Sequence, residues 1–118
     1  NAPSDNMGVI VTTWSLHFYS PKIAAMVERW PDGVLADFNR VARMMLAHGP
    51  DLGMPHTRAM GGGLFEVRAK GREGIGRAFY CTLVGKRIVI LHAIIKKTEQ
   101  TPRRDLDVAR ERMKEVKP

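Results

Sequence analysis

The chain has 118 residues, enough for one domain that buries a core without disulfides or a metal. Its single cysteine, Cys81, excludes an intrachain disulfide, no apolar run approaches the ~20 residues of a membrane-spanning helix, and no secretory leader is visible, so a cytoplasmic protein is expected. The net charge of +7 resides in residues 66–104, where ten Lys/Arg face three acids, and a basic half beside a neutral half points to an anionic partner, nucleic acid first.

Residues 1–118 are expected to form one domain, with residues 1–8 a disordered lead or a cloning remnant. Residues 9–19 (VIVTTWSLHFY) are β-branched and aromatic and suit a strand, either early at 9–13 or late at 14–19. Ser20-Pro21 supplies a cap and a first helical residue. Ile23, Ala24, Val27 and Trp30 then recur at helical spacing until Pro31 ends the helix.

Asp32 is expected to cap a longer helix. Val34, Leu35, Phe38, Val41, Ala42, Met45 and Leu46 form its apolar stripe, and Gly49-Pro50 stop it. Its Met and Phe residues read as core, and Asp37, Arg40 and Arg43 as the solvated face. Residues 50–63 read as a loop with two prolines and four glycines.

Residues 61–80 (GGGLFEVRAKGREGIGRAFY) read as a hairpin. Its strands are 64–68, with Leu64, Glu66 and Arg68 on one face, and 77–83. A turn at Val84-Gly85 leads to a third strand, 87–95, apolar on both faces and therefore placed centrally. Lys96-Lys97 close it. Thr101-Pro102 again reads as cap and first helical residue, and Leu106, Ala109, Met113 and Val116 share one face of the last helix. The expected fold class is α+β, in the order β-α-α-β-β-β-α, with a small antiparallel sheet and helices outside it.

The run GLFEVR, the RAFY after a glycine-rich loop, the strand IVILHAIIKKT, the TP before the last helix and the closing AxxR together resemble the RelE/HigB toxin superfamily, in particular its phage-derived HigB-like branch. The resemblance spans residues 14–116. It implies the toxin of a type II toxin–antitoxin pair, a cytoplasmic endoribonuclease that cuts mRNA on the ribosome and is silenced by a cognate antitoxin, expected to be a helix-turn-helix protein. By position it implies catalytic roles for Arg68, Arg77, Lys96 and Lys97 around the scissile phosphate. Several relatives carry a tyrosine or histidine near the C-terminal end; here that region reads 98–104, with Arg103 near the expected tyrosine.

The chemistry of the residues is compatible. RNA is cut without metal or cofactor when its own 2′-OH attacks the adjacent phosphate, given a base, an acid and cations for the phosphorane. Arginine, which stays charged, can only stabilise charge, so Arg68 and Arg77 take that role. Lys96 or Lys97, Glu66 and His92 are the proton-transfer candidates, with His56 a weaker one. Lys70, Arg72 and Arg103 are candidate RNA contacts.

Blander roles compete for each residue. Arg68 and Glu66 can form a structural ion pair. Strict alternation puts Arg77 on the face of Phe79 and Cys81, so a strand-end twist is needed to turn it outward. His92 continues the Ile88/Ile90 alternation, as a core histidine would. Cys81 reads as buried packing, and Tyr80 as sheet packing or a base-stacking platform. The loop KGREGIG lacks the spacing of a P-loop, and no cluster has metal-ligand spacing. Two other readings share these features: a ParE-like toxin that inhibits gyrase without catalysis, and a basic nucleic-acid-binding module.

Overall fold

A computed structural model describes residues 13–96 and 100–117. The element order is β1 (Ser15–Phe18), α1 (Pro21–Glu28), α2 (Asp32–His48), β2 (Thr57–Gly61), β3 (Leu64–Gly71), β4 (Gly74–Leu83), β5 (Arg87–Lys96) and α3 (Arg103–Val116). The α+β class is as expected. The late position of the first strand is the one adopted; the early alternative, 9–13, lies almost wholly outside the described residues.

The five strands lie in the order β1-β5-β4-β3-β2. Two features depart from the expected antiparallel sheet. First, β1 runs parallel to β5, with Ser15 opposite Arg87 and Phe18 opposite Ile90. Helices α1 and α2 carry the chain away from β1, so β1 is free to take the outer flank of β5 in a parallel sense, which a tight turn could not allow. Second, the expected loop 50–63 contains β2, antiparallel to β3. TRAMG has little β-branched content, and what makes it a strand is pairing along β3, a tertiary cause. Gly62 and Gly63, at φ of 66° and 89°, make the turn between these strands.

The sheet separates two apolar clusters. On one face α1 and α2 pack Ile23, Val27, Val34, Phe38, Val41 and Met45 against Val67, Ala78, Tyr80, Ile88 and Ile90. On the other, α3 lays Ala109, Leu106 and Met113 over Leu64, Phe79, Cys81, Val89 and Leu91. Gly76 permits close approach on the first face, since a Cβ there would lie 2.6 Å from Cζ3 of Trp30.

Helix starts show where capping was read correctly and where it was not. Ser20 Oγ accepts from the Ile23 N–H at 3.3 Å, as expected of an N-cap. Asp32 is the first residue of α2 and not its cap, and Glu73 from the β3–β4 turn accepts the Gly33 N–H at 3.3 Å. Likewise Pro102 precedes α3 with no side-chain cap, because the Thr101 hydroxyl is used elsewhere.

Candidate functional site

The α3 face of the sheet carries the chemistry, and strand register decides which side chains meet there. Arg58 pairs with Glu66, Glu66 with Phe79, and Phe79 with His92. One step along, Arg68 pairs with Arg77 and Arg77 with Ile94. At the end of the sheet Lys70 pairs with Ile75 and Ile75 with Lys96. Residues opposite one another share a face, so Arg68, Lys70, Arg77 and Lys96 occupy two adjacent rows.

Glu66 is the anchor of this group. Its Oε2 accepts from Arg77 Nη1 and from Thr101 Oγ1, each at 3.1 Å. Its Oε1 lies 3.4 Å from Arg58 Nη2 and 3.8 Å from Arg68 Nε. Glu66 and Arg77 are fully buried, Arg68 is 7% exposed, and the Arg58 side chain is 42% exposed. One carboxylate thus gathers three arginines from β2, β3 and β4. Direct hydrogen bonds within a buried pair of this kind offset part of its desolvation cost.

Arg77 follows strict alternation: it stays on the Phe79/Cys81 face, and no strand-end twist brings it to the surface. It lies beneath the surface rather than in it. Glu66, engaged by these donors and out of solvent, is an anchor and not an accessible base. The ion pair weighed for Arg68 and Glu66 is present, widened to a cluster.

Lys96 lines an open cleft of about 400 Å³ with Gln100, Thr101, Pro102 and Arg103. The cleft adjoins the anchor through Thr101. Lys70, Arg72 and Arg103 are exposed. The Lys70 amide donates to Asp37 Oδ2 at 2.8 Å, so the β3–β4 turn rests on α2. Lys97 lies outside the described residues.

His92 is placed by a β-bulge. Phe79 is opposite His92, yet Tyr80 is opposite Ile90, so Leu91 is the extra residue. The bulge moves His92 off the Ile88/Ile90 face and onto the α3 face, contrary to the alternation read from sequence. There His92 Nε2 meets Asp105 Oδ1 at 2.8 Å, Nδ1 lies 3.4 Å from Arg112 Nη1, and the ring stacks on Phe79. An arginine facing Nδ1 and a carboxylate facing Nε2 suit the tautomer protonated at Nε2. This arrangement ties β5 to α3.

Tyr80 is buried, stacks on Phe65 and donates its hydroxyl to the Pro50 carbonyl; burial pushes its phenol well above the ordinary range. It is sheet packing on the α2 side. Burial also raises the Cys81 thiol, which suits packing and not nucleophilic attack. His56 meets the site through its backbone, its carbonyl accepting the Arg68 N–H at 2.8 Å. Among the described residues no group of three His, Cys, Asp or Glu is placed to hold a metal, and no helix is long and apolar enough to cross a membrane.

Sequence reading missed Arg58, Thr101, Asp105 and Arg112 as partners. Arg58 sat in an assumed loop and Thr101 in an assumed cap. No local signal marks Asp105 or Arg112, whose roles depend on the bulge.

The family model described as "Phage derived protein Gp49-like (DUF891)" matches residues 25–114. The chain belongs to this family. No curated protein matches it in sequence. Among solved structures, a chain of the archaeal RelE-RelB complex from Pyrococcus horikoshii OT3 is similar in fold, with a TM-score of 0.53 and 16% identity, over 75% of this chain and 100% of that one. Gp49-like membership together with this fold places the protein among the RelE-like toxins of the RelE/HigB superfamily, as the sequence motifs implied.

Proposed function

We propose that this Gp49-like protein is a metal-independent endoribonuclease that cuts mRNA on the ribosome, and that a cognate antitoxin silences it. The observation that carries this reading is the register of β3, β4 and β5. It lines up Arg68, Lys70 and Lys96 in two rows on one face, beside a cleft that also holds Arg103. Cations so placed suit the charge that builds on a phosphorane when a 2′-OH attacks. Arg68, with its planar fork, and Lys96 are assigned to the scissile phosphate; Lys70, Arg72 and Arg103 to the flanking phosphates. Arg77 acts from beneath, by fixing Glu66.

The described face offers cations in plenty and few accessible groups that move protons. That favours dependence on the ribosome, whose own groups would align the 2′-OH. Lys96 and Lys97 are the assigned proton-transfer residues. One solved structure of similar fold comes from a RelE-RelB complex. By analogy, an antitoxin segment with acidic or apolar character is assigned to the basic cleft, and the cytoplasm to the pair. A helix-turn-helix antitoxin is the expected form. Inducing the protein in cells and mapping mRNA 5′ ends tests the reading: new ends within translated codons are expected, and an unchanged map would sink it.

One observation favours a second reading, a gyrase-inhibiting toxin without catalysis. Glu66 and Arg77 are fully buried, so two of the residues assigned to chemistry do not reach a substrate. Growth arrest with intact mRNA and accumulated cleaved DNA–gyrase complexes would select it.

A further inference from the structure

Arg58 lies on β2, the edge strand that sequence reading took for a loop, directly opposite Glu66. Of the three arginines around Glu66 it is the most exposed: its side chain is 42% exposed, against 7% for Arg68 and 0% for Arg77. We propose that Arg58 contacts an RNA phosphate directly, and that Glu66 is the positioning residue that aims it. The inference rests on the endoribonuclease reading for the identity of the ligand and extends the site to a fourth strand.

Three observations support it. Glu66 Oε2 already accepts from Arg77 and Thr101, so Arg58 adds little to the neutralisation of that carboxylate. Its conformation is restrained all the same, since Nη2 is held 3.4 Å from the buried Oε1. A guanidinium has five N–H donors in a fixed fork, and one carboxylate oxygen engages only part of them, which leaves donors for a phosphate on the solvent side. The strand itself is pinned: Arg110 on α3 donates to the carbonyls of Met60 at 2.8 Å and Gly61 at 3.0 Å. A long cation that is ion-paired at one nitrogen and carried on a fixed strand loses less rotamer entropy on binding than a free surface arginine.

The test uses the full chain and a short 2′-O-methyl single-stranded RNA, which can bind but lacks the attacking hydroxyl. Wild type, Arg58→Ala, Arg58→Lys and, as a control, Arg43→Ala on the far side of α2 are titrated over a range of salt, with thermal melting to show that each is folded. Arg58→Ala is expected to bind about tenfold more weakly, the effect of losing one charge-assisted hydrogen bond. Its plot of log K against log salt should be shallower by roughly 0.7, the value for one phosphate contact on a single strand. Arg58→Lys should recover the slope and only part of the affinity, and Arg43→Ala should match the wild type. An Arg58→Ala that equals wild type in both slope and affinity overturns the proposal, as does a wild type that fails to bind at low salt. Cleavage of ribosome-bound mRNA by the wild type is read alongside. Binding without cleavage sinks the endoribonuclease reading and leaves the Arg58 contact standing; cleavage with unaltered binding by Arg58→Ala does the reverse.

Discussion

Arg77 donates from Nη1 to Glu66 Oε2 at 3.1 Å, and both side chains are fully out of solvent. A buried pair of this kind contributes modest net stability while intact and is costly to break from one side. Glu66→Ala should therefore destabilise the protein by about 3–5 kcal/mol, because a charged guanidinium is stranded in the interior. Urea denaturation would show this as a lower midpoint. Glu66→Gln, which keeps an acceptor, should cost less than Glu66→Ala, and equal losses for the two would contradict the anchor role.

Arg68→Ala and Lys96→Ala are predicted to slow mRNA cleavage on the ribosome by about 10²–10³-fold each, the scale for removing one preorganised charge stabiliser. Thermal stability should change little for Lys96→Ala, whose side chain lines an open cleft. Single-turnover rates with ribosome-bound mRNA measure the effect. A Lys96→Ala enzyme at full rate would move the chemistry elsewhere.

His92 is predicted to be structural. Its ring nitrogens are occupied by Asp105 and Arg112, which join β5 to α3. His92→Asn should lower stability by about 1 kcal/mol, the scale of one net hydrogen bond. Cleavage should fall far less than the 10²–10⁴-fold expected on removing a general acid or base. A drop of that larger size in a folded variant would restore His92 to the chemistry.

Gly76→Ala should cost about 1–3 kcal/mol, the range for overpacking a tight core. The added Cβ would meet the Trp30 ring at 2.6 Å, and that ring is wedged edge-on against Phe38. A combined Gly76→Ala, Trp30→Phe variant should recover part of the loss. Comparison of the two melting curves decides it.

Alkaline pH should destabilise the fold. Both phenols are held above their ordinary range, Tyr80 by burial and Tyr19 chiefly by its hydrogen bond to Glu115. A raised folded-state pKa means that the native protein retains a proton the unfolded chain gives up. The phenols' contribution to stability is therefore fully present below about pH 10 and falls as pH rises beyond it, by at most about 1.4 kcal/mol per pH unit from Tyr80. Tyr80→Phe should flatten that decline. Absorbance at the phenolate band should rise at higher pH in the native protein than in urea.

The local features with strong periodicity were legible. The stripe from Val34 to Met45 and the Ser20 cap needed no tertiary information, since helical spacing and capping act within a few residues. So was the superfamily, because several motifs fall in a fixed order along most of the chain. Residues 57–61 were not legible as a strand, because what makes them one is pairing with β3, which their own composition does not announce.

By itself the sequence determined that this chain is an α+β protein with its charge concentrated on residues 66–104, and that Arg68, Arg77 and Lys96 sit on three consecutive strands. Only the tertiary structure decided what each of them faces. Arg77 turned inward because Glu66, itself held by the Thr101 hydroxyl, meets it there, and a buried guanidinium is tolerable only where such a partner exists. His92 changed faces because a single extra residue, Leu91, breaks the two-residue period that any reading of a strand assumes. Arg58 joined the group because the pairing of β2 with β3 sets it opposite Glu66, a register that residues read as a loop do not reveal.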